Sequence, residues 1–276
     1  MLDVDAMIGK LDAAGIDQVI LIPAMNDPLP ADTPEALLSV LRRVMRSPAR
    51  NLLPLLDRLF YTPEGNLKLR GEVFNVYARP DNAAVARVVA SHPARLRWWV
   101  FLNPGAGGDP REQLERWRGE PGVVGVKLHP FWHRFALRDA LPIAERCEQL
   151  GLPMLIHLGF GERGQWQLIA DRHPELRLVF AHCGMPYFDK LWPGADAYPN
   201  IHLDVSSPYL NESLVRRAVK VLGPHRMLYG TDAPYGFHGD DESYDYHHIK
   251  AWVERLPCSS HDIDRLLGQN ALELAA

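Results

Sequence analysis

Three residues far apart in the chain occupy the same kind of place. His157 closes the apolar run "LPMLIHLG" (152–159), His182 closes "LRLVFAHCG" (176–184), and Asp232 ends "RMLYGTDAP" (226–234) before its proline. Two imidazoles and a carboxylate suit Zn²⁺ or a similar divalent ion. Such an ion would neutralise Asp232, because a buried carboxylate is costly unless a cation, donors or water meets it. A fourth run, "VVGVKLHP" (123–130), ends in Lys127 and His129, two apart and so on one face of a strand. Lys127 reads as a solvated cation, a substrate anchor or a metal-bridging group, and His129 as a cap on the strand end. The segment "YGFHGDDESYDYHH" (235–248) sets His238, Asp240, Asp241, His247 and His248 close behind Asp232. It reads as a solvated loop and helix start, and it is the best local source of further ligands. "HLDVSS" (202–207) puts His202, Asp204 and Ser206 on one face. One strand cannot bring three alternate side chains into triad geometry. Arg134, Arg138 and Arg163 follow strand ends and read as surface arginines able to hold a carboxylate.

The elements that must position these groups are legible as short apolar runs. Besides those four, "DQVILIP" (17–23), "LRWWVFLNP" (96–104) and "NIHLDVSS" (200–207) are rich in Val, Ile, Leu or aromatics and end in Pro or Ser. Such runs are strands buried on both faces, as in a parallel sheet. Helical patterns alternate with them at 141–150, 164–173, 211–222, 244–256 and 260–275. Asp139 stands as a cap before the first of these and Gly151 as its stop. Seven strand–helix units are one short of an eight-stranded barrel. The shortfall is at the front. "LDVDAMIGKLDAAG" is a helix capped by Asp3 or Asp5, and it leads directly into the first visible strand. The expected fold is therefore α/β, a (β/α)₈ TIM-type barrel lacking its first strand, with residues 1–276 as a single domain. The long connection at 24–95 carries a basic amphipathic segment and a turn-rich one. It reads as a lid or as a peripheral helical insertion. In a βα barrel the C-terminal strand ends converge on one mouth, which would gather Lys127, His157, His182 and Asp232.

Bulk composition narrows the class. The chain has 276 residues, 47% hydrophobic and 23% charged, with a formal net charge of −4. That balance gives no nucleic-acid footprint and no polybasic membrane patch. Three dispersed cysteines, Cys147, Cys183 and Cys258, fit a reduced cytoplasmic protein. No secretory leader or membrane-spanning run is visible.

"GVKLHP", "LPMLIHLG", "LVFAHCG", "YGTDAP" and the C-terminal "LLGQNALEL" together resemble the amidohydrolase-related branch of the metal-dependent hydrolase superfamily. The resemblance runs from about residue 3 to the end, excluding most of 24–95. It implies a (β/α)₈ barrel with one divalent metal, often Zn²⁺, acting on a small-molecule substrate. Carried over by position, it makes His157 a metal ligand and Asp232 a ligand or proton acceptor. His182 becomes the acid–base or electrophilic group beside the metal. The implied reaction is hydrolysis of a small amide, lactone or related bond by a metal-activated water. The alternatives are non-oxidative decarboxylation of an aromatic or unsaturated acid, and a catalytically silent homologue kept as a partner subunit. The family's first strand normally ends in H-x-H, and this sequence contains no H-x-H. The expectation is a chain that starts late or a shortened member, with weakened metal binding. An exposed sheet edge would then favour a homo-oligomer, cover by 24–95, or poor stability.

Overall fold

The computed structural model of the chain describes residues 3–28, 35–69, 71–239 and 243–275. All seven expected strands are present: β1 (Val19–Leu21), β4 (Leu96–Leu102), β5 (Val123–Leu128), β6 (Met154–Ile156), β7 (Leu178–Phe180), β8 (Ile201–Asp204) and β9 (Met227–Leu228). They form one parallel sheet in the order β1-β4-β5-β6-β7-β8-β9. The remaining two, β2 (Leu67–Leu69) and β3 (Glu72–Phe74), pair as a separate antiparallel hairpin inside the long connection.

The alternation of side chains explains why the sheet curls. Leu96, Trp98, Val100 and Leu102 of β4, Met154 and Ile156 of β6, Leu178 and Phe180 of β7, and Ile201 and Leu203 of β8 pack outward into the cluster shared with the helices. The intervening residues Trp99, Leu155, Val179 and Leu228 form a second, inner cluster that Ile20 of β1 joins. Strands at opposite ends of the sheet thus share one interior, as a barrel wall requires. Trp98 and Trp99 face opposite ways, one toward the helices and one inward. Gly125 makes room for the latter: a Cβ there would sit 2.3 Å from the Trp99 ring and 2.5 Å from the Pro153 carbonyl oxygen. Leu274 of the C-terminal helix also enters the inner cluster. Arg177, just before β7, bonds the Glu273 carbonyl, so this helix closes the end opposite the strand C-termini.

No strand precedes the first helix, Val4–Ala13, among the described residues. Asp3 caps that helix through the Ala6 amide, and Met7 and Leu11 are its buried side. Each of β1 and β9 has one ladder partner in the sheet and forms an edge.

Three details depart from the sequence expectations. Asp139 does not cap the helix Leu141–Leu150; its carboxylate accepts from the Ala136 amide in the preceding turn. Gly151, at φ +66°, does end that helix. The C-terminal helix runs from 260 to 275 as expected but is not α-helical throughout: Ser260–Asp264 and Asn270–Ala275 flank a π-helical turn, Arg265–Gln269. Tertiary bonding provides a reason. The Tyr229 amide donates to the Leu266 carbonyl at 2.9 Å, and the Asn270 side chain donates to the carbonyls of Pro224 and Met227 at 2.8 Å each. A carbonyl claimed by the strand weakens the local helical ladder. The connection at 24–95 also contains the helix Asn82–Ser91, capped by Asp81, which the sequence pattern left unassigned.

The rest of that connection lies against loops that follow the strand C-termini. Arg50, 2% exposed, donates from Nε to the Pro186 carbonyl at 2.7 Å. It also pairs with Asp189 at 2.6 Å and lies 4.4 Å over the Phe188 ring. Tyr61 meets Phe131 edge-on at 6.3 Å. His133 Nε2 bonds the Tyr77 carbonyl at 3.1 Å, and Tyr235 bonds Asn26 at 3.2 Å. No described helix is long and apolar enough to cross a membrane.

Candidate active site

The strand ends bring together the residues that the sequence placed there. β7 ends in an unusual turn: His182, Cys183 and Gly184 all have positive φ, at 56°, 55° and 79°. That region costs an L-residue roughly 1–2 kcal/mol, and it turns the His182 ring back over the sheet. His182 Nε2 lies 3.1 Å from His157 Nδ1 and 4.0 Å from an Asp232 oxygen. Asp232 is itself held at φ 60°, a conformation Asp tolerates better than most residues.

The other side of His182 is fixed by β8. Its Nδ1 lies 3.2 Å from the Ser206 carbonyl and 3.1 Å from Ser206 Oγ. A carbonyl only accepts, so Nδ1 carries the proton. Nε2 is then the lone-pair nitrogen, and it accepts from His157 Nδ1–H. Asp204 anchors this arrangement. Its Oδ1 accepts from the His182 amide at 2.9 Å, the Ser206 amide at 3.0 Å and Ser206 Oγ at 2.5 Å. Gly230 is needed because a Cβ there would lie 3.0 Å from the Ser206 Cβ.

His129 stacks on His157 at 4.0 Å between ring centres. Its Nδ1 also accepts from the Trp132 amide at 3.2 Å, so it caps the turn as expected and supports His157 as well. Burial pushes both His129 and His157 well below the usual histidine range, and the neighbouring imidazoles and Lys127 push the same way. Burial pushes the Lys127 ammonium down to about 8, opposed by Asp204 and Asp232. Lys127 has no hydrogen bond or ion pair among the described residues, although it is 5% exposed. Asp232 is driven upward by burial and by Asp204, against His182 and Lys127. Its side chain remains 30% exposed at the mouth. The cation, donor or water that a strand-end carboxylate needs is thus supplied only in part, by the field of His182 and Lys127.

Asp204 and Ser206 are the residues that the sequence reading set aside. They do not form a triad with His202 on one strand; they hold His182 from the neighbouring strand. Their signal was the alternation Asp-x-Ser at a strand end. His202 lies deeper on β8, and its Nδ1 has no partner. The arginines are peripheral: Arg138 pairs with Glu162, and Arg134 stacks over Tyr61 at 4.9 Å. His238 bonds the Gly236 carbonyl at 3.2 Å, and His248 stacks on Phe237 at 3.8 Å. Asp240 and Asp241 lie outside the described residues.

The donors can be tested against a divalent ion. His157 Nδ1 and His182 Nε2 are at a spacing that two ligands can have, but they face one another as hydrogen-bond partners. Asp232 reaches only His182. Among the described residues no group of three or more His, Cys, Asp or Glu side chains is arranged to hold an ion. As arranged, the set does not fit a catalytic shell, which takes three protein ligands.

Comparison with known proteins bears on the fold and the family. The family model described as "Amidohydrolase" matches residues 36–274. Among solved structures, an uncharacterized TIM-barrel protein from Bordetella bronchiseptica is 18% identical, with TM-score 0.66, covering 99% of this chain and 82% of that one. A 2,6-dihydroxybenzoate decarboxylase complexed with 2,6-dihydroxybenzoate is also 18% identical, with TM-score 0.63, covering 100% of this chain and 88% of that one. A dihydroxybenzoic acid decarboxylase from Polaromonas, with bound manganese, is 21% identical at TM-score 0.56, covering 88% and 90%. The curated protein fluG of Emericella nidulans is 24% identical over 107 residues, 33% of this chain. That match spans only 12% of the curated protein's length.

Proposed function

Since the chain belongs to the amidohydrolase family, an enzyme family built on this barrel, we propose that it removes the carboxyl group of a small unsaturated or aromatic carboxylic acid without an organic cofactor. The observation that carries this reading is Asp232. Burial and Asp204 raise the proton affinity of its carboxyl against His182 and Lys127, it stands 4.0 Å from His182, and no described donor is bonded to it. Decarboxylation needs a proton delivered to carbon, and a carboxylic acid at the mouth can deliver one. Hydrolysis needs a base for water, and the His182 lone pair is already engaged by His157.

Lys127 supplies positive charge or a free amine beneath the histidines, where a substrate carboxylate or carbonyl would lie. As the C–C bond to the carboxyl breaks, CO₂ leaves and the electron pair stays on carbon. Asp232 protonates that carbon. His157 passes its Nδ1 proton to Nε2 of His182, which Ser206 and Asp204 hold in place; Nε2 hands that proton to Asp232, and solvent refills His157. The net change is one carboxylate and one proton to CO₂ and the product carrying hydrogen in place of the carboxyl group. The structural neighbours that are decarboxylases support this choice. A divalent ion such as zinc enters only if Asp232 swings toward the histidine pair, so none of these steps is assigned to it.

The test is a panel of small aromatic acids, keto acids, amides and lactones, assayed for CO₂ release and for bond hydrolysis. CO₂ release that is lost in Asp232→Asn supports the reading. Hydrolysis without CO₂ returns the site to the hydrolase alternative, and inertness toward the whole panel favours the silent homologue.

A further inference from the structure

We propose that the Lys127 amine adds to a carbonyl carbon of the substrate to form an imine, so that the site accepts β-keto acids. This inference rests on the decarboxylation reading, names the attacking atom and moves the substrate class from aromatic and unsaturated acids to β-keto acids. Lys127 sits on β5, in register with Phe101 of β4 and Leu155 of β6. Leu155 faces the barrel interior. Lys127 shares its strand face with His129, whose ring stacks on His157. The amine therefore rises from the interior toward the histidine cluster at the mouth.

A structural role would give the amine a protein partner. Among the described residues Lys127 is the one buried lysine, and it has neither hydrogen bond nor ion pair. Its Nζ is not among the buried atoms left without a partner, so the stem is enclosed while the amine itself opens on the mouth. Burial also holds a share of the amine neutral near physiological pH, which is the nucleophilic form. The Asp232 carboxyl and the His182 imidazole, 4.0 Å apart, stand at the same mouth as proton carriers.

The steps balance. The Lys127 nitrogen lone pair attacks the keto carbon, and the oxygen takes a proton to give a carbinolamine. Asp232 or His182 protonates that hydroxyl, water leaves, and the protonated imine remains. The β-carboxylate departs as CO₂, and its bonding electrons flow into the imine to give an enamine. Asp232 protonates the enamine carbon. Water then hydrolyses the imine, freeing the ketone and Lys127. The water released in the first half is consumed in the second.

The experiment uses the full chain with acetoacetate as the probe and sodium borohydride as the trap. Intact mass and peptide mapping then locate the adduct. The expected result is a reduced isopropyl adduct at Lys127, formed only with both reagents, together with loss of CO₂ release. Lys127→Arg keeps the charge but cannot form the imine, so adduct and CO₂ release should both fall to background. Lys127→Met serves if the arginine does not fold. No adduct, or adducts only on exposed lysines, overturns the imine; continued CO₂ release from acetoacetate in that case leaves the decarboxylation reading standing. An adduct at Lys127 that retains its carboxyl, with no CO₂ released, supports the amine and overturns the decarboxylation reading.

Discussion

Replacing Lys127 by methionine should stabilise the protein at neutral pH. The folded amine titrates at about 8 rather than the ordinary 10.5. Below pH 8 the folded chain must hold a charge where water is scarce, and the unfolded chain holds it freely. A lag of about 2.5 units at about 1.4 kcal/mol per unit gives a cost of about 3 kcal/mol at pH 7. The sign follows from the protons bound. Between about pH 8 and 10.5 the unfolded chain binds the proton and the folded chain does not, so wild-type stability climbs with pH in that window. The Lys127→Met variant lacks the climb. Its advantage should be about 3 kcal/mol at pH 7 and shrink to about 1 kcal/mol at pH 10. Urea unfolding of both proteins at these two pH values measures it. A variant that is less stable at pH 7, or whose advantage does not change with pH, would refute the claim that burial of Lys127 outweighs the attraction of Asp204 and Asp232. A residue that costs stability is one whose retention calls for a functional reason.

Arg50→Met should destabilise by about 1–3 kcal/mol in urea unfolding, since it removes three polar contacts of a buried guanidinium and leaves the Pro186 carbonyl and the half-exposed Asp189 without it. Gly125→Ala should cost at least about 2 kcal/mol, or displace Trp99 with a visible change in near-ultraviolet circular dichroism, because the added methyl meets the indole and the Pro153 carbonyl. Dialysis against a chelator should move the melting temperature by less than about 1 °C, because ions stabilise only in proportion to their affinity for the folded site and the described donors form no three-ligand cage. A large drop after chelation would show that Asp232 closes on the histidine pair.

The seven strands were legible because strands walled in on both faces are mostly apolar over a short run, a pattern that no surface helix shows. The polar residues that ended those runs stood out for the same reason, which is how His157, His182 and Asp232 were found to share a mouth. What escaped depends on contacts between distant segments. The turn at Arg265–Gln269 bends because the Tyr229 amide claims the Leu266 carbonyl, a bond that local propensity does not encode. Asp139 looked like a helix cap by position, but its carboxylate turned to the Ala136 amide. Asp204 and Ser206 were read against a triad on one strand and dismissed; their actual work is to fix the His182 tautomer from the adjacent strand. The isolation of Lys127 was likewise invisible in sequence, since absence of a partner is a property of the packed site.

The most direct measurement is turnover of a decarboxylated acid in D₂O, with the product read by NMR. The proton that replaces the carboxyl group must come from Asp232 and its His182 relay. The account predicts one deuterium on the carbon that lost CO₂, and loss of product formation in Asp232→Asn while the variant stays folded. Undiminished turnover in Asp232→Asn, or a product formed by hydrolysis with its carboxyl group intact, would contradict it.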